Sequence, residues 1–177
     1  MKKLTTILTV MLLMMGMTVN AQTWDFTKTP AGDVTALKAA TTEWTFTENN
    51  NRYESKMAID GAIKAGGTEL EMTQGLTVKA AEKKIRIDVD NRLQSAGKNI
   101  PLSTPALKKG QVVTIVCAST GNTAVTFDQI TNLSGISGLS AADYKTEQTG
   151  TGTVTADGVV TFNCSGGSIN VYSINVS

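Results

Sequence analysis

The sequence predicts an all-β protein, an antiparallel β-sandwich or barrel with one short N-terminal helix. Three observations predict it. Apolar and polar residues alternate with a period of two in run after run, most clearly in Lys84-Ile85-Arg86-Ile87-Asp88-Val89-Asp90. Turn signals such as Asp60-Gly61, Gly66-Gly67 and Asp157-Gly158 punctuate these runs, at the spacing of roughly 8–12 residues expected of a sandwich or barrel. Threonine, whose branched Cβ suits a pleated strand, is abundant, and only one segment reads as helix.

The chain opens on a segment that stands outside this pattern. Lys2 and Lys3 precede an apolar run from Leu4 to Met17, and Val19-Asn20-Ala21 fits a small-x-small cleavage site. That order is expected of a secretory signal peptide over residues 1–21. The apolar run falls short of the about 20 residues of a membrane span. Residues 22–177 are then expected to form a single β-sandwich domain, secreted, periplasmic or on the cell surface, with no membrane span once the leader is removed.

The elements follow in order. Thr23-Trp24-Asp25-Phe26-Thr27 reads as a strand, and Asp33 to Ala40 as two helical turns with Asp33 as N-cap. In Glu43 to Thr47 the alternation puts Trp44 and Phe46 on one inward face. Arg52 to Met57 is a further strand. In the Lys84–Asp90 run Ile85, Ile87 and Val89 face inward, and Arg86, Asp88 and Asp90 outward. Val112 to Cys117 and Thr123 to Phe127 are strands, and Asn132 to Ser140 is a long loop. Asp157-Gly158, between Thr151–Thr155 and Val159–Asn163, predicts a β-hairpin. Ser168 to Val176 closes the domain.

Composition excludes several functions. The chain has no histidine, which removes Ser-His-Asp and Cys-His catalysis and any His-ligated metal. The formal charge of +1 becomes −1 once Lys2 and Lys3 are removed. Nucleic acid, which needs a basic footprint, is not an expected partner. No phosphate-binding glycine loop is present.

The remaining chemistry is sparse. Asp88 and Asp90, with Asn91, form an outward oxygen cluster of the type that suits calcium, without EF-hand spacing. The other reading is a solvated strand face balanced by Arg86 and Arg92, and no other cofactor is implied. Cys117 and Cys164 both fall on core-facing positions. They read either as a disulfide, worth about 4 kcal/mol in the chain-entropy model, or as two buried thiols. For glycan binding the surface candidates are Arg52 and Tyr53, beside the Asn49-Asn50-Asn51 turn, and Arg92 and Gln94. An aromatic ring packs against the apolar face of a pyranose, and guanidinium and amide groups bond its hydroxyls.

Several segments carry a resemblance. They are Trp24-Asp25-Phe26-Thr27, Thr73 to Val78, Ile85-Arg86-Ile87-Asp88, Asn91-Arg92-Leu93-Gln94, Pro105 to Thr114 and Ile169 to Val176. Together the chain resembles the non-catalytic, carbohydrate-binding-module-like jelly-roll domains of exported Bacteroidetes-type proteins, of the kind found beside pectate lyases. The resemblance implies a polysaccharide partner, such as the plant cell-wall glycan pectin, and no enzymatic activity. The alternative is an envelope or extracellular structural protein that binds other proteins.

Overall fold

The computed structural model describes residues 21–55, 59–78, 85–95 and 97–177. The leader expected at residues 1–21 lies almost wholly outside them. The first strands are β1 (Gln22–Asp25), β2 (Thr45–Thr47), β3 (Arg52–Ser55), β4 (Ile59–Asp60), β5 (Lys64–Ala65) and β6 (Thr68–Glu69). A helix, α1 (Ala31–Ala39), separates β1 from β2. There follow β7 (Thr77–Val78), β8 (Ile85–Asp88), β9 (Arg92–Ser95), β10 (Leu102–Leu107), β11 (Val112–Ser119) and β12 (Val125–Phe127). The last are β13 (Gln129–Thr131), β14 (Leu133–Ser134), β15 (Leu139–Ala141), β16 (Gln148–Val154), β17 (Gly158–Asn163) and β18 (Ile169–Val176).

Two antiparallel sheets form the body of a β-sandwich. The larger runs β14-β16-β11-β18-β9-β8-β3-β2, with β1 also paired to β18. The smaller runs β13-β17-β10-β7-β4. Successive strands cross between them: β10 lies in the small sheet and β11 in the large, then β16 in the large, β17 in the small and β18 in the large. This crossing is the jelly-roll habit that the resemblance implies, and it corrects one element. Asp157-Gly158 does not close a hairpin, because β16 pairs with β11 and β14 while β17 pairs with β10 and β13. The turn carries the chain from one sheet to the other.

Inward side chains from both sheets make one core. Tyr53, Ile87, Leu93 and Val171 form an inward cross-strand row of the large sheet, and Val160 and Phe162 project from the small one. Burial of this apolar surface, at about 25 cal/mol per Å², is the main force holding the sheets together. On β16, Gly150 and Gly152 leave space that Ile136 occupies; a Cβ on Gly152 would stand 2.7 Å from Ile136 Cγ2 and 2.8 Å from the Ser134 carbonyl oxygen.

Local details depart from the simplest reading of the pattern. The helix begins at Ala31 with Pro30 as its N-cap, not Asp33. Asp33 lies inside the first turn, buried, and accepts the Glu71 and Met72 backbone N–H groups at 2.8 and 3.0 Å. Its carboxylate thus caps a distant 3-10 turn at Glu71–Thr73. Trp44 is buried as expected, but Phe46 is 37% exposed and lies against the Tyr53 ring, with centroids 4.5 Å apart. No helix among the described residues is long and apolar enough to cross a membrane.

Candidate functional site

The outer face of the large sheet carries two groups of polar side chains with opposite character. The first lies across β3, β8 and β9. Arg52, Asp88 and Arg92 share one cross-strand row; Glu54, Arg86, Gln94 and Asn170 share the next outward row. Alternation places them outward because Tyr53, Ile87 and Leu93 between them face the core.

Here the polar groups satisfy one another. Arg52 donates from Nε and Nη2 to the two Asp88 oxygens at 2.5 and 3.1 Å, and Arg92 Nε donates to Asp88 Oδ2 at 2.8 Å. Arg86 Nε donates to Glu54 Oε1 at 2.5 Å, and its Nη1 to Gln94 Oε1 at 3.0 Å. Gln94 then donates to Asn170, and Asn170 to the Ser119 carbonyl, both at 2.9 Å. The bond to Asp88 holds the Arg52 guanidinium above its ordinary value, against the opposing pull of burial. This strip braces five strands, with side chains from β3, β8, β9 and β18 and the Ser119 carbonyl of β11.

The structure therefore brings Arg52 and Arg92 together on Asp88 and links Gln94 to Arg86. Tyr53 departs from its expected surface position. It is fully buried on the inward side of β3, where burial pushes its phenol up, and its hydroxyl has no hydrogen-bond partner. The calcium pairing of Asp88 and Asp90 also meets a different arrangement. The Asp88 side chain is 7% exposed and its oxygens are taken by two guanidinium groups, whose charge repels a cation. Asp90 occupies the β8–β9 turn with φ 52°, where its Oδ1 accepts the Thr29 N–H at 2.8 Å. Among the described residues, no three His, Cys, Asp or Glu side chains gather to hold a metal.

The second group lines a groove of about 290 Å³ over β1, β18 and β11. Its polar lining is Thr23, Asp25, Thr27, Glu147, Ser173 and Asn175, with Tyr172 and Val116. The backbone explains its position. Inward residues of β18 are Ile169, Val171, Ile174 and Val176, so the alternation slips by one residue at Tyr172-Ser173. Ser173 faces Val116 and the next pair is Val171 with Cys117, which leaves Tyr172 as the extra residue of a β-bulge. On its other edge β18 changes neighbour at the same point, from β1 at Ser173 to β9 at Val171. The bulge and the gap between β1 and β9 aim Tyr172 into the groove.

Unlike the strip, the groove has polar groups to spare. Tyr172 is 9% exposed, yet its hydroxyl bonds to no described residue. The same holds for the side chains of Thr23, Glu147, Ser173 and Asn175. Asp25 is partly engaged: its Oδ1 accepts the N–H and hydroxyl of Thr27, and Lys28 lies 3.8 Å from Oδ2. The sequence does signal this site. The spacing of Ile169, Val171, Ile174 and Val176 runs two, three, two, and the three marks the bulge.

Cys117 and Cys164 both lie in the core, as free thiols. Burial, and then the neighbouring Cys164, push the Cys117 thiol up to about 12.

No family model matches the chain, and no curated relative matches it. Solved structures with some likeness include a family 6 carbohydrate-binding module, 14% identical, covering 59% of this chain and 83% of that one at a TM-score of 0.34. Another is the N-terminal cellulose-binding domain of a Cellulomonas fimi β-1,4-glucanase C, 16% identical, covering 58% and 86% at 0.33. A third is a Bacillus subtilis family 43 arabinoxylan arabinofuranohydrolase, 10% identical, covering 71% of this chain and 38% of that one at 0.36. Likeness at these scores establishes neither a shared fold nor a shared function, and the sandwich stands on the strand pairing above.

Proposed function

We propose that this chain is an exported, non-catalytic module that binds a polysaccharide in the groove over β1, β18 and β11. One observation carries the reading. Polar side chains that could bond each other lie self-satisfied in the arginine strip, whereas in the groove only Asp25 and Thr27 are engaged, and Thr23, Glu147, Ser173 and Asn175 stand unclaimed around Tyr172. A surface that leaves hydroxyl, amide and carboxylate groups open beside a tyrosine matches the mixed polar and apolar character of a sugar ring.

The groove also bears on the type of glycan. Asp25 and Glu147 give it two carboxylates, which repel the uronates of pectin. Recognition of other proteins by strand addition is disfavoured, because the two main sheets end in the two- or three-residue strands β14, β2, β13 and β4, and β1, paired with β18 alone, has four residues.

Titration of the purified protein with a panel of neutral, acidic and amino polysaccharides, with and without calcium, tests the reading. The expected result is calcium-independent binding that weakens on Tyr172→Phe and Asn175→Ala and survives Arg92→Ala. Binding lost on Arg92→Ala but kept in both groove variants would move the site to the strip. Absence of binding across the panel, together with a specific protein recovered from envelope fractions, would replace the glycan with a protein partner.

A further inference from the structure

The ligand class of the groove follows from its charge, an inference that rests on the groove reading above. Glu147 makes no ion pair with any described residue. The nearby Lys145 lies over the Tyr144 ring, 5.4 Å from its centroid. Lys28, the cation beside Asp25, has a side chain 85% exposed, and such a surface pair contributes little. The groove therefore carries two carboxylates beside one exposed cation, and among the described residues no buried cation balances Glu147. Tyr172 is a second and independent observation, because the residue is nine-tenths buried and lines the groove, and its solvent-facing hydroxyl bonds to no described residue. A volume of about 290 Å³ sits at the small end of ligand pockets, which run to roughly 300–1,000 Å³, and suits a sugar unit rather than a broad surface.

We infer that the groove takes an amino-sugar unit in its protonated form. The ammonium is held by Asp25 and Glu147, in charge-assisted bonds about twice as strong as neutral ones. The ring hydroxyls are held by Thr23, Ser173, Asn175 and the Tyr172 hydroxyl. A neutral sugar leaves Glu147 without a counter-charge, and a uronate adds a repelled one.

Calorimetric titration with four oligosaccharides tests this: glucosamine, N-acetylglucosamine, glucose and galacturonate oligomers of equal length. The expected result is glucosamine-oligomer binding at least tenfold tighter than the other three. Asp25→Asn and Glu147→Gln should each weaken it about tenfold, and added salt should weaken it further. Acetylated or neutral oligomers that bind as tightly, with loss on Tyr172→Phe, would overturn the amino-sugar inference while leaving the groove as the site. Glucosamine binding unchanged in both carboxylate variants would also overturn it. Binding by none of the four would overturn the inference and count against the glycan reading beneath it.

Discussion

The carbonyl of Tyr172 accepts the backbone N–H of Phe26 at 2.9 Å, the last bond that ties the first strand of the domain to the final one. Beyond it β1 leaves the sheet and β9 takes its place along β18. Tyr172 is also the extra residue of the bulge against β11. Its side chain is thus set by two irregularities that coincide. A phenol held this firmly, with nothing to bond, is expected to serve a ligand. Tyr172→Phe removes only an unpartnered hydroxyl, so stability in urea should stay within about 0.5 kcal/mol of wild type. Glycan affinity should fall by roughly tenfold, the cost of one hydrogen bond to the ligand. A clear loss of stability with unchanged affinity would show that the hydroxyl is structural.

Asp88 illustrates the reverse case. Two guanidinium groups converge on a carboxylate that is nearly buried. Replacing one partner of a buried ion cluster leaves the others uncompensated, at a cost of about 3–5 kcal/mol. Arg52 and Arg92 retain side-chain exposures of 20%, which places the effect of Asp88→Asn at the lower end. Urea unfolding should show a loss of about 2–3 kcal/mol. A loss below about 0.5 kcal/mol, the range of an ordinary surface change, would contradict the bracing role.

Tyr53 predicts a gain. Its hydroxyl is buried without a partner, and such a group carries a desolvation penalty of about 1–3 kcal/mol. Tyr53→Phe keeps the ring against Phe46 and removes the penalty. Thermal unfolding should rise or stay level, and a fall of several degrees would reveal a partner for the hydroxyl.

These three residues also mark how far the sequence alone could be read. The alternation in Ile85–Asp88 and Val112–Cys117 gives strands and their inward faces directly, because each strand buries one side. The sequence reads Arg52, Arg92 and Gln94 as surface candidates. It cannot tell a saturated network from an open one, since that depends on β3, β8, β9 and β18 lying side by side. The Asn-rich turn beside Tyr53 points to the surface, but its own phase, which matches Ile87 across the pair, carries it into the core. Asp157-Gly158 has hairpin chemistry, but sheet crossing overrides it, and no local signal separates a hairpin from an arch. Asp25 and Glu147 are far apart in sequence, so their shared groove emerges only with the fold.

The cysteines give a pH prediction with a definite sign. Burial raises Cys117 to about 12 from an ordinary 9.0, so the folded state holds its proton more tightly than the unfolded state. The thiol therefore favours folding fully below pH 9, and this contribution is lost as pH rises from 9 toward 12. The stability difference between wild type and Cys117→Ala should narrow across that interval. Thiol reagent should label neither cysteine in the folded protein at pH 8 and both in denaturant. Two unreactive cysteines in denaturant without reductant would show a Cys117–Cys164 bridge instead.

The central claim is that the groove, and not the arginine strip, meets the glycan. Backbone amide mapping by NMR during titration with the tightest-binding oligosaccharide of the panel tests it most directly. The account predicts shifts at Thr23, Asp25, Glu147, Tyr172, Ser173 and Asn175, with Arg52, Arg92 and Gln94 unmoved. Shifts confined to Arg52, Arg92 and Gln94 would contradict it.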